Sequence, residues 1–182
     1  MSRKPSGIYL LLAKIICVMK NLFKNLSLSA LLIAFVHVCL SAQDVRLEQS
    51  LNALGLKYTF DESQKTYKLL FNLDNGRSQI IFVNANVYEL NSGFKIREIF
   101  SPVAKLENKS DFSHRMLFTI LEKNYEYKIG NWQIFGGDPP YLLLFSIKVP
   151  PDISNNFLRE LLIIAARRSD EMEKDLTGTD DY

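Results

Sequence analysis

The sequence predicts an α+β domain, an antiparallel sheet flanked by helices in the order α-βββ(β)-α-ββ-α. Three observations predict it. Runs that alternate apolar and polar residues recur from Leu56 to Phe100, the two-residue period of half-buried strands. Short turns, with no helical crossover, separate those runs, so neighbouring strands pair antiparallel instead of building a doubly wound sheet. Three other stretches, near Val45, Phe112 and Phe157, space their apolar residues as helices do.

The first helix places Val45, Leu47, Leu51 and Leu54 over about three turns, with Gly55 where a helix ends. Leu56-Tyr58-Phe60 and Tyr67-Leu69-Phe71-Leu73 follow as strands around a turn at residues 61–65. Asp74-Asn75-Gly76 makes the next hairpin, because Asn-Gly tolerates the positive φ of a tight turn. The strand Gln79–Val83 is expected to run on towards Tyr88. Phe94–Phe100 alternates again and is expected to stop at Ser101-Pro102, since proline has no ladder N–H. Ser110 or Asp111 can cap a helix in which Phe112, Met116, Ile120 and Tyr127, with Leu117, Leu121 and Tyr125, give a broad apolar face closed by Lys128-Ile129-Gly130. Trp132–Ile134 and Tyr141–Ile147 are two more strands turning at residues 136–140, and Pro150-Pro151 blocks further strand. Ser154 caps a last helix reaching about Leu176, before Gly178.

Residues 1–42 read as an N-terminal targeting segment, with Met19 as an alternative start. Lys20 and Lys24 form a basic region, Leu26 to Cys39 an apolar run, and Leu40-Ser41-Ala42 a cleavage site before Gln43. This is the layout of a signal peptide, and the run is short for a bilayer span. The expected product is exported, periplasmic or extracellular, with no stable membrane span after signal removal. Five of the 22 Lys and Arg and none of the 20 Asp and Glu precede Gln43, which leaves 17 against 20 and a net charge of −3. That balance disfavours nucleic acid, whose partners usually carry a basic face. Cys17 and Cys39 both lie in the targeting segment, so the rest has no disulfide. Residues 43–178 suit one domain able to bury its own core, and 179–182 read as a loose tail.

The order of elements and certain phrases resemble the YbjN family of bacterial proteins and the related type III secretion chaperone-like fold. The phrases are Leu56-Lys57-Tyr58-Thr59-Phe60-Asp61-Glu62, Gly76-Arg77-Ser78-Gln79, Ile99-Phe100-Ser101-Pro102-Val103-Ala104 and the closing stretch Ala165 to Glu173. The resemblance covers nearly all of Gln43 to Gly178. It implies a fold associated with regulation, motility and stress or with holding partner proteins, and no catalytic motif. An export signal departs from the mostly intracellular members.

Residue chemistry points the same way. His114 is the one His after the targeting segment, and with no Cys there the spacing for a zinc site is missing. Ser113 and Asp111 are near it in sequence but belong to a helix start, where such residues cap. Gly136-Gly137-Asp138 precedes prolines and a strand, unlike a phosphate loop. Glu122, Glu126, Glu160, Asp170, Glu171 and Glu173 lie among Lys and Arg at helical spacing, as on a solvated face. No catalytic, cofactor or metal residues are nominated.

The aromatics offer more. Most should fill the core, but Tyr58, Tyr67, Tyr88 and Trp132 are candidates for an exposed partner-binding surface, because Tyr and Trp tolerate half-burial. The expected function is a non-enzymatic, exported, chaperone-like module that binds another protein or peptide, with a homodimer allowed. Binding of a small ligand or envelope component is the alternative, and a hydrolase a distant third.

Overall fold

The computed structural model describes residues 45–182 except 75, 177 and 179; residues 1–42, where a targeting segment is expected, lie outside the described residues. Helix α1 spans Val45–Ala53, strands β1 to β5 span Tyr58–Asp61, Thr66–Asn72, Ser78–Asn84, Tyr88–Glu89 and Lys95–Leu106, helix α2 spans His114–Glu126, strands β6 and β7 span Asn131–Phe135 and Tyr141–Val149, and helix α3 spans Asn155–Leu176. All strand pairs are antiparallel. Six strands run in the order β1-β2-β3-β5-β7-β6, and β4 pairs with β5. The chain is therefore α+β with an antiparallel sheet flanked by helices.

Alternation decides which sheet face is covered. Tyr67 and Leu69 of β2, Ile81 and Val83 of β3, Ile99 of β5 and Leu143 and Phe145 of β7 all enter one core cluster, together with Leu47 and Leu51 of α1, Ile120 of α2 and Leu158, Leu161 and Leu162 of α3. All three helices thus lie on one face. Leu70, at the alternate position of β2, is 60% exposed on the other.

Several boundaries differ from the sequence expectation. Strand β5 does not stop at Pro102 but runs through it to Leu106, shifting register against β7 between Pro102 and Ala104; a bulge accommodates a residue with no N–H to give. Strand β3 ends at Asn84, and Tyr88 belongs to the separate strand β4. Helix α2 is capped by Ser113, whose side chain accepts the Met116 N–H at 3.2 Å, in place of Ser110 or Asp111. It ends at Glu126, and Tyr127 turns extended.

Gly130 then does a different job. Its φ is 78°, and a Cβ there would collide with the Phe145 ring. Ser154 caps α3 as expected, accepting the Phe157 N–H at 3.3 Å. The end of the chain is not loose: the Ile80 N–H donates to the Tyr182 carbonyl at 3.0 Å, and the Asp181 N–H to Glu173 Oε1 at 2.8 Å.

Candidate binding surface

Helix α2 is short and carries more apolar side chains than one face can bury. Ile120 is buried, and Met116 and Leu117, with Tyr127 just past the helix end, pack partly against the core. Phe118, Leu121 and Tyr125 point the other way, 68%, 64% and 89% exposed. Their i, i+3, i+7 spacing lines them up along the solvent side of the helix. The adjoining strand β6 leaves Ile134 and Phe135 48% and 66% exposed.

Strand β6 is a sheet edge, and α2 guards it. The Trp132 N–H donates to Asn124 Oδ1 at 2.6 Å, and Asn124 Nδ2 donates to the Trp132 carbonyl at 3.3 Å. One amide side chain thus occupies both outward backbone groups of Trp132, which blocks strand addition at that residue. Apolar side chains, more than backbone, are what this flank offers a partner.

The four nominated aromatics do not form one surface. Tyr88 is 69% exposed and Tyr58 half-buried, its hydroxyl donating to Glu48 Oε1 at 3.1 Å. Tyr67 and Trp132 are 2% and 3% exposed and so face the core, not solvent. Tyr67 packs against the rings of Tyr58 and Phe60, with centroids 5.3 and 4.6 Å away, and Trp132 lies 5.0 Å from Phe145. Tyr58 and Trp132 are on opposite edge strands. Sequence reasoning placed Leu121 and Tyr125 on the apolar side of α2 and passed over Phe118, Ile134 and Phe135. The available signal was the sum: apolar residues encircle more of this helix than a single contact needs.

A second feature is polar. Asp170 and Glu173, expected on a solvated face, are 6% and 0% exposed. Arg77 pairs with Asp170, lies 3.3 Å from Glu173 Oε2 and 3.9 Å from Asp180. Burial pushes the Glu173 carboxyl above its ordinary range, against the opposing pull of the Asp181 N–H and the Arg77 charge. The same helix borders a groove of about 410 Å³, lined by the apolar Phe71, Leu73, Ile163 and Ala166 and by charged residues of both signs, Arg167 and Lys174 with Asp74, Asp170 and Glu171.

His114 is exposed at the first position of α2, with Ser113 engaged as the helix cap. Asp111 instead accepts the Asn108 N–H at 2.9 Å. Among the described residues no three His, Cys, Asp or Glu side chains converge as a metal site would need, and no helix is long and apolar enough to cross a membrane.

No protein-family model matches the sequence, and no curated protein matches it. Among solved structures, the chain is similar to the crystal structure of YbjN from E. coli, at 8% identity and a TM-score of 0.42, over 71% of this chain and 85% of that one. The likeness is distant and says nothing of function.

Proposed function

We propose that this chain is an exported, non-enzymatic module that binds another protein or peptide, and that the outer side of α2 is its contact surface. The observation that carries the reading is Phe118, Leu121 and Tyr125 standing in line, each at least 64% exposed. Aligned large apolar groups on a soluble surface are a recurrent mark of a protein contact. The basic, apolar and small-residue order of residues 20–42 supports export. Intact-mass analysis of the product should give a chain starting at or near Gln43. A mass retaining Leu26 to Leu40 would count against export as a soluble product.

The binding test uses a photo-crosslinking residue at position 125, with one at exposed position 88 as the control. Position 125 should yield a discrete adduct in the envelope or secreted fraction, lost when Phe118→Ser is added. Equal adducts from both positions, or none from 125, would remove α2 as the contact. The groove beside α3 favours a second reading, a small-ligand or envelope-component binder. Its volume falls within the usual range for ligand pockets, about 300–1,000 Å³, and its lining mixes apolar and charged side chains. A ligand seated there should raise the melting temperature of the wild type and not of Ile163→Trp.

A further inference from the structure

The sheet has an opening in its middle. Strand β3 begins at Ser78, yet it pairs with β5 only at Phe82 and Val83. Beyond Phe100 the strands part, where Pro102 lacks an N–H and β5 bulges. Side chains partly span the gap. Ser101 Oγ donates to the Ile80 carbonyl at 2.8 Å, and Gln79 Nε2 donates to Ser101 Oγ and to the Pro102 carbonyl, both at 3.0 Å. Gln79 is fully buried, and its Oε1 has no hydrogen-bond partner.

Residues 180–182 lie along this opening. The Ile80 N–H donates to the Tyr182 carbonyl at 3.0 Å, and the Ser78 N–H to the two Asp180 carboxylate oxygens at 3.2 and 3.3 Å. The contacts run from 78 to 180 and from 80 to 182, so the segment follows β3 in the same direction. Glu173 takes the Asp181 N–H, and Arg77 stands 3.9 Å from Asp180. Backbone donors on β3 and one guanidinium therefore read an acidic side chain and, two residues later, the backbone carbonyl of a half-buried aromatic.

We propose that the seam between β3 and β5 is a strand-acceptor slot for an extended acidic–aromatic segment, held in cis by Asp180–Tyr182 and open in trans to the same segment of a second copy. The inference does not depend on the α2 surface. An identical segment from a second copy satisfies every contact that the chain's own segment makes, which is the condition for exchange between protomers. Solvent reaches the held segment: Asp180 and Asp181 are both exposed, and Gly178, two residues before Asp180, sits at φ 67° where the chain turns. The tether gives the cis segment a high local concentration, so trans binding should show when the cis contacts are weakened.

The test uses the full chain bearing Asp180→Lys, which sets a like charge near Arg77, and a fluorescein-labelled peptide of residues 176–182. The peptide should bind this variant at least about tenfold more tightly than it binds the wild type, because the cis competitor is weakened. The same peptide carrying Asp180→Ala should bind less well. Equal binding to variant and wild type, or no binding to a variant that melts like the wild type, overturns the proposal. Wild-type amide exchange tests it without any variant. Ser78 and Ile80 should exchange on the order of 100-fold faster than Ile81, through local release of the segment. Matching protection at all three would mean the segment never leaves, and would sink the slot.

Discussion

Helices α2 and α3 lie on the same face of the sheet and use their apolar residues in opposite ways. Nine residues of α3 are buried, among them Ser169, Asp170 and Glu173, whereas α2 buries Ile120 alone. α3 crosses the middle of the sheet, over β3, β5 and β7, so even its polar residues are drawn in and must find partners such as Arg77. α2 lies against the edge strand β6. One side of it touches the core and its other apolar side meets solvent. A hydrophobic residue on α3 therefore reads as stability, and one on the outer side of α2 reads as a surface for something else.

The largest expected effect breaks the α3 side of that contrast. Leu161 and Leu162 are both fully buried, so Leu161→Ala and Leu162→Ala should each cost about 2–5 kcal/mol in urea melts. If either costs less than about 0.5 kcal/mol, the level of a surface change, α3 does not pack as described.

Next comes the polar half of α3. Arg77→Ala should cost about 1–3 kcal/mol, less than the ~3–5 of a fully buried pair, because its side chain keeps 17% exposure to water. Glu173→Gln sharpens the point through pH. Burial raises the Glu173 pKa in the fold, so its contribution to stability is fully present below the unfolded pKa and is lost as pH rises through the folded one. Melts at pH 4.5 and pH 8 should therefore show the Gln variant gaining on wild type as pH rises. A difference that stays flat or falls would mean that the Arg77 charge, not burial, governs Glu173.

The fold was legible in the sequence because periodicity and turn chemistry report local geometry directly. Gly76, Ser154 and Pro150 marked boundaries through their own backbone preferences, and the strands between them followed. Pro102 misled because a bulge, a tertiary accommodation, carried the strand past it. The surface was less legible. Periodicity says that a residue is apolar at a helical position but not how many neighbours its helix has, so Leu121 and Tyr125 looked like core and Trp132 looked like surface. Asp170 and Glu173 were misread for the matching reason, since their partner Arg77 is about 95 residues away in the chain.

A smaller effect tests the edge. Asn124→Ala removes the acceptor of the Trp132 N–H and the donor to its carbonyl. The loss should be about 1 kcal/mol, the scale of one or two imperfectly replaced hydrogen bonds where water can reach the edge. It should also make the chain associate in a concentration-dependent way by exposing those groups on β6. Sedimentation at two concentrations would show it, and an unchanged monomer fraction would mean that other features of α2 guard the edge.

The smallest effect is on stability, and the contrast depends on it most. Phe118→Ser and Tyr125→Ser should each change the urea midpoint by no more than about 0.5 kcal/mol equivalent, because their side chains are 68% and 89% exposed and leave no cavity. The same chemistry applied to α3, as Leu161→Ser, should be worse than Leu161→Ala, because it adds a hydroxyl without a partner to the cavity. If Phe118→Ser destabilises the isolated domain by more than about 1 kcal/mol, the outer side of α2 is packing rather than surface. The distinction between the two helices would then collapse into one core. If stability holds while crosslinking at position 125 is lost, these apolar side chains are maintained on the surface for a partner and not for the fold.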